Sequence, residues 1–358
     1  KAAEAAPDGA TIYVMSDVEM NQMAWVWEKE LTITSYGVDP VTLSRGENFH
    51  TNTDPARQRY NPAMIEVGGE TEQGTVSSLI LTHIILDDMG KYEGEYFVQA
   101  DSEGDGETTV SRSEVPNTSI VQDAIIATYN GMGTITLGDG AELRNYGGMS
   151  AVRLSGGELV MEEGSAILDT TENEREKGAS GSFGPAGAVW LQGGILTMNG
   201  GTIGGDKGVM MNGRALYADG GTANIGGTIQ NIHGTDAAWQ GQNGVAVHLR
   251  SHGEATLAST GEITNVTGTN AGNNCAIWTQ FCNFTTKAGS KISHVDGFQL
   301  LYFDDLDNNN YSHEVYLNGT ISECASGSAS LLRSWYGQIT FGPNSVIENC
   351  SSSSAGGL

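Results

Sequence analysis

The sequence predicts an all-β chain wound as a right-handed, single-stranded parallel β-helix of about ten three-strand coils. Three observations carry that prediction. Seven segments, AVRL, AVWL, ALYA, AVHL, AIWT, LLYF and LLRS, set an apolar frame around Arg153, Trp190, Tyr217, His248, Trp278, Tyr302 and Arg333, at steps of 37, 27, 31, 30, 24 and 31 residues. An aliphatic residue recurs after glycine- or serine-rich turns at Leu143, Ile167, Ile203, Ile229, Ile263, Ile292, Ile321 and Ile347. Glycine supplies 50 of 358 residues, about twice the usual share, and clusters as GG, NG and DG before apolar triplets, which is turn punctuation between short strands.

In chain order, TIYVMSDV, ELTITSYG, VTLSRGENF, AMIEVGG and SLILTHIILDDMG read as strands of irregular first coils within residues 1–120, with loop excursions at about 46–62 and 88–119. From 121 to 350 each coil has three beats. The seven segments are the first. The second reads ITL (135–137), LVM (159–161), LTM (196–198), ANI (223–225), ATL (255–257), VYL (315–317) and ITF (339–341), with NFT (283–285) as a weaker member. The aliphatic column is the third. Strands this short, with one face inward, bury that face only by stacking coil on coil, which also pairs each strand with those above and below. A propeller would need a longer repeat of ~40–45 residues, and leucine-rich repeats a leucine and asparagine pattern that is absent. The expectation is one β-helix domain over 1–358, a fragment of a larger protein.

The phrases TIYVMSDV, LTITSYG and VTLSRG, followed by glycine-punctuated GGTI rungs, resemble the pectin-lyase-like β-helix domains of large secreted or wall-attached, adhesin-like proteins of Gram-positive bacteria. The resemblance spans nearly the whole chain and is specific for fold. What it implies is an extracellular domain that is either an adhesin or polysaccharide-active, with a substrate cleft on a strand face walled by the preceding loops.

The net charge of −26, from 43 acidic and 17 basic residues, disfavours nucleic acid and anionic membrane as partners and can attract divalent cations. No apolar run approaches the ~18 residues of a membrane span. The expected partner is a glycan or a cell-surface protein, bound by a monomeric module of a longer chain. Four cysteines, none in a CxxC pair, argue against a zinc site of that type. Cys324 and Cys350 occupy equivalent positions 26 residues apart and read as stacked thiols rather than a disulfide.

In a strand, side chains alternate between faces, so Val152 and Leu154 pointing inward would turn Arg153 outward, and likewise along the column. Two residues further, Ser155, Gln192, Asp219, Arg250, Gln280, Asp304 and Trp335 form a second outward file. Two residues before the rings, Ala151, Ala188, Ala215, Ala246 and Ala276 read as a shelf of small side chains. Rings, methyls and amides side by side describe an oligosaccharide groove, because aromatic faces take sugar C–H surfaces and polar neighbours orient hydroxyls. The competing reading is structural: stacked rings stabilise a sheet, and the variable segments at 168–187, 205–214, 231–244 and 267–275 could cover them. A catalytic reading has no specific motif support. Asp219 and Asp304, three rungs or ~14 Å apart, are too distant for a hydrolase carboxylate pair. SHGE (251–254) matches a GHG-type histidine motif poorly; a lyase would have to use Arg250 or His248 as base. DLDNNN opens like a calcium loop with Asp305, Asp307 and Asn309, but has Asn310 and Tyr316 where glycine and glutamate belong, so calcium is a weak candidate and no other cofactor is expected. The preferred function is a glycan- or host-binding adhesin module using Arg153, Trp190, Gln192, Tyr217, Asp219, His248, Arg250, Trp278, Gln280, Tyr302, Asp304 and Arg333. A polysaccharide lyase or glycoside hydrolase comes second and a passive stalk third.

Overall fold

The computed structural model describes residues 2–50, 63–68, 77–89, 95–98, 108–111, 124–147, 150–170, 187–234, 244–268, 274–305, 312–327 and 330–353. Its strands form a parallel β-helix. The aliphatic column stacks in the predicted register, Leu143 on Ile167, Ile203, Ile229, Ile263, Ile292, Ile321 and Ile347, one coil after another. The middle strands stack Ile135, Leu159, Leu196, Ala223 and Ala255 likewise. Ala255 pairs with Phe284, so the NFT segment is out by one and its triplet is FTT. The cause is its polarity: Phe284 is its single large apolar side chain, and burial selects the register that sends it inward. Parallel crossovers of this kind wind right-handed as a rule.

The early coils follow the same plan. SLILTHIILDDMG divides into Ser77–Thr82 and Ile84–Asp87, turned at His83, whose φ is 48°. The polar strand Val18–Gln22 and the short Ala24–Val26 join the stack without a strong sequence signal, and Glu95–Val98 pairs antiparallel with Thr108–Ser111 inside the 88–119 excursion. A single helical turn, Ala2–Ala5, precedes the first coil and buries Ala3, while Lys29 Nζ donates to the carbonyls of Ala3, Glu4 and Ala6. The segment 205–214 is not simply a loop: Met211–Asn212 pairs with Ile232 and His233, and the third strands run on as Thr228–Gly234 and Glu262–Gly268. Residues 171–186, 235–243 and 269–273 of the variable segments lie outside the described residues.

Two corners shape each coil. Two residues after the aliphatic column, Asn145, Asn231, Asn265, His294, Glu323 and Asn349 have φ between 51° and 55°. Asparagine tolerates this left-handed conformation, and Asn265 Nδ2 donates to Asn231 Oδ1 at 2.6 Å while Asn231 Nδ2 donates to the Gly205 carbonyl at 3.0 Å. The bend returns the next side chain inward, which buries Ile232, Val266, Val295 and Cys324. Cys324 and Cys350 are free thiols in neighbouring coils, and burial pushes the Cys324 thiol up to about 12, with Cys350 adding to the shift. The second corner follows the ring-bearing strand and uses Gly156–Gly157, Gly193–Gly194 and Gly220–Gly221. At Gly221 φ is 88° and a Cβ would stand 2.3 Å from the Gly194 carbonyl oxygen, so any side chain there would have to displace backbone.

Candidate ligand face and the polar corner beside it

The predicted column forms in register: Arg153 pairs with Trp190, then Tyr217, His248, Trp278, Tyr302 and Arg333 follow. It also extends the other way, through Ala127, Glu66 and Trp25. Insertions between those early coils break the period, which hid the extension from the sequence. The rings touch along their length, with centroids 6.3 Å apart for Trp190 and Tyr217, 4.9 Å for Tyr217 and His248, 4.5 Å for His248 and Trp278, and 6.2 Å for Trp278 and Tyr302. Guanidinium groups sit on both ends: Arg153 5.0 Å over Trp190 and Arg333 5.1 Å over Tyr302.

This column is a spine rather than an open shelf. Arg153, Trp190, His248 and Tyr302 are at most 7% exposed, and Tyr217, Trp278 and Arg333 are half-buried. Burial pulls the Arg153 guanidinium down to about 10, against an opposing push from the Glu66 carboxylate, and burial raises the Tyr302 phenol. The expected alanine shelf is not on the surface either. Ala151, Ala188, Ala215, Ala246 and Ala276 are fully buried in the hydrophobic core, because they sit at the start of the strand, where the chain is still turning and strict alternation does not hold.

The second file is the accessible one. Asp219, Arg250 and Trp335 are exposed, and Ser155, Gln192, Gln280 and Asp304 are half-buried. Arg153 donates through Nε and Nη2 to Gln192 Oε1 at 2.9 and 2.7 Å, which fixes the guanidinium over the indole. Arg250 Nη1 donates to the Tyr217 hydroxyl at 3.4 Å, and the Ser251 hydroxyl donates to Asp219 Oδ1. Trp335 and Tyr336 close the strip as a stacked pair, centroids 5.9 Å apart, 46% and 53% exposed.

The corner after Arg250 is one residue longer: Ser251, His252 and Gly253 stand where the preceding coil has Gly220 and Gly221, with φ of 56° at Ser251 and 62° at His252. Side chains in this region cost roughly 1–3 kcal/mol each and gather at functional sites. His252 is exposed, and its Nδ1 lies 3.1 Å from Nε2 of His313. His313 Nδ1 lies 2.6 Å from Oδ1 of Asp305, which is completely buried, and the His313 backbone N–H also donates to Asp305 Oδ2 at 3.3 Å. An ionised carboxylate only accepts, so the network assigns the proton to His313 Nδ1. Beneath the corner, burial pushes the Cys282 thiol up to about 12 although the Gly253 and His252 backbone amides donate towards it.

Of the weak calcium candidates, Asp305 bonds to His313, and Asp307 and Asn309 lie outside the described residues. Among the described residues no three His, Cys, Asp or Glu side chains converge on a common point. Register keeps Asp219 and Asp304 three rungs apart, as expected. His252 and His313 were missed as a pair because 60 intervening residues separate them; the legible signal was SHG at a corner where the preceding coil has GG.

These features define a parallel β-helix with a packed aromatic spine and an exposed polar strip along its edge. No protein-family model matches the chain, and no curated protein matches it. Among solved structures it is similar to the Yersinia enterocolitica family 28 exopolygalacturonase, at a TM-score of 0.29 and 10% identity, over 99% of this chain and 74% of that one.

Proposed function

We propose that the chain is an extracellular, adhesin-like module that binds a glycan along the strip of Gln192, Asp219, Arg250, Gln280, Asp304 and Trp335. The observation that supports this is the repetition of exposed or half-exposed hydrogen-bonding groups, one per coil, beside the half-buried Tyr217 and Trp278. At ~4.8 Å per coil, five steps from Gln192 to Trp335 span ~24 Å, the length of several sugar units. The spine holds this strip rigid, which lowers the ordering cost of binding. A net charge of −26 suits a neutral or cationic surface ligand better than a polyanion. The ligand is a glycan of the environment or of another cell's surface, with a cell-surface protein as the other partner this strip could take.

The test is glycan-array and calorimetric binding by the wild-type chain, Arg250→Ala/Gln280→Ala and Trp335→Ala. The proposal expects saturable binding that each variant weakens at least tenfold. Binding unchanged in both variants would remove the strip from the account, and an array without any hit would favour a passive stalk. A polysaccharide-active enzyme is favoured only by the strained corner at Ser251 and His252. New reducing ends or unsaturated-uronate absorbance on incubation with polysaccharides would establish it.

A further inference from the structure

We propose that His252 and His313 form a binding site for one borderline divalent metal ion of the zinc, copper or nickel class, with Asp305 as the outer carboxylate that orients His313. The argument is independent of the glycan reading and starts from the protons. Hydrogen bonding to the buried Asp305 places the His313 proton on Nδ1, which leaves a lone pair on Nε2. That lone pair faces His252 Nδ1 across 3.1 Å. The approach is favourable either when neutral His252 carries its hydrogen on Nδ1 and donates it to that lone pair, or when a metal ion sits between the two nitrogens.

Three observations favour the metal. Two nitrogens at the usual zinc distance of ~2.05 Å and a tetrahedral angle stand about 3.3 Å apart, close to the separation seen here. A ligating histidine characteristically gives its other N–H to a carboxylate, which fixes the tautomer and raises the basicity of the metal-facing nitrogen; Asp305 does this from a fully buried position. Third, the chain holds both Ser251 and His252 at positive φ, in a corner one residue longer than the Gly220–Gly221 corner before it and the Phe281–Cys282 corner after it. A solvated surface histidine gives no reason for that strain, whereas a ligand that must be aimed at a partner two coils away does.

Imidazole suits zinc, copper and nickel, and carboxylate-lined calcium chemistry does not fit two facing ring nitrogens. With two protein ligands among the described residues, the ion keeps open positions that face solvent beside Ser251 and Asp219. The acidic surface raises the local cation concentration.

The experiment uses the whole chain stripped with chelator and then titrated with Zn2+ by calorimetry, with Cu2+ electron paramagnetic resonance as a second readout on the unaltered protein. The expected result is one saturable Zn2+ equivalent and a Cu2+ spectrum split by two imidazole nitrogens. His252→Asn, whose new side chain tolerates the left-handed corner, should abolish that equivalent while the circular dichroism stays native. Asp305→Asn should weaken binding 10- to 100-fold, the usual effect of losing an outer-shell carboxylate. His294→Asn, at the distant His294–Glu323 pair, should bind as wild type. No saturable equivalent in the wild-type chain, a Cu2+ spectrum without two-nitrogen splitting, or full Zn2+ affinity in His252→Asn would overturn the site and leave a plain imidazole–imidazole hydrogen bond.

Discussion

Trp190→Ala measures whether the ring column is spine or groove. Trp190 is 7% exposed, so truncation removes nearly the whole contact of a side chain that buries 150–250 Å². Taking roughly 200 Å² at ~25 cal/mol per Å² gives about 5 kcal/mol, an upper value because the unfolded chain already hides some of that area. The stacked Arg153, 5.0 Å over the ring, adds roughly 0.5–1 kcal/mol. Against this, the buried indole Nε1 has no hydrogen-bond partner among the described residues, which costs the native state about 1–3 kcal/mol that alanine would recover. The net expectation is a loss of about 3–5 kcal/mol, read as a fall in urea midpoint at constant slope, followed by far-UV circular dichroism. Trp190→Phe should lie within about 1.5 kcal/mol of wild type, because it keeps most of the apolar contact and deletes the orphaned N–H. A loss below about 1 kcal/mol for the alanine variant would refute the spine and restore an open aromatic groove.

Two further predictions concern buried polar groups. Gln299 is fully buried beside Cys275 in the register, and neither end of its amide has a hydrogen-bond partner among the described residues; Gln299→Met keeps the length, removes that penalty and should raise stability by about 1–3 kcal/mol in the same urea assay. The second is alkaline. Burial raises Cys275, Cys282 and Cys324 from 9.0 to about 12, so between pH 9 and 10 the unfolded chain releases thiol protons that the folded chain keeps, and stability falls as pH rises. The fall is roughly 1 kcal/mol per thiol over that unit, and Cys275→Ala with Cys282→Ala should remove about two thirds of it, leaving the share of Cys324. Above pH 10, Arg153 and Arg214, pulled down to about 10, act in the opposite sense, so the window ends there. A urea midpoint that does not move between pH 9 and 10 contradicts the buried thiols.

The coil plan, the eight-member aliphatic stack and the seven-member ring column could all be read from period and alternation, because each side chain's face in a strand follows from its parity in the chain. Parity also explains the errors. Ala151 and its equivalents sit in a corner where parity fails, and the NFT triplet had too little apolar contrast to set its own register. What tertiary structure alone decided was exposure and long-range company. Whether Trp190 faces water depends on what else occupies the space over it, and no local pattern records that. His252 meets His313, and His313 meets Asp305, only because stacking lays residues distant in sequence one or two coils apart. A one-dimensional pattern specifies how a strand divides inside from outside; the fold's geometry, through contacts between residues far apart in the chain, specifies which outward groups are buried, which are free and which can share a ligand.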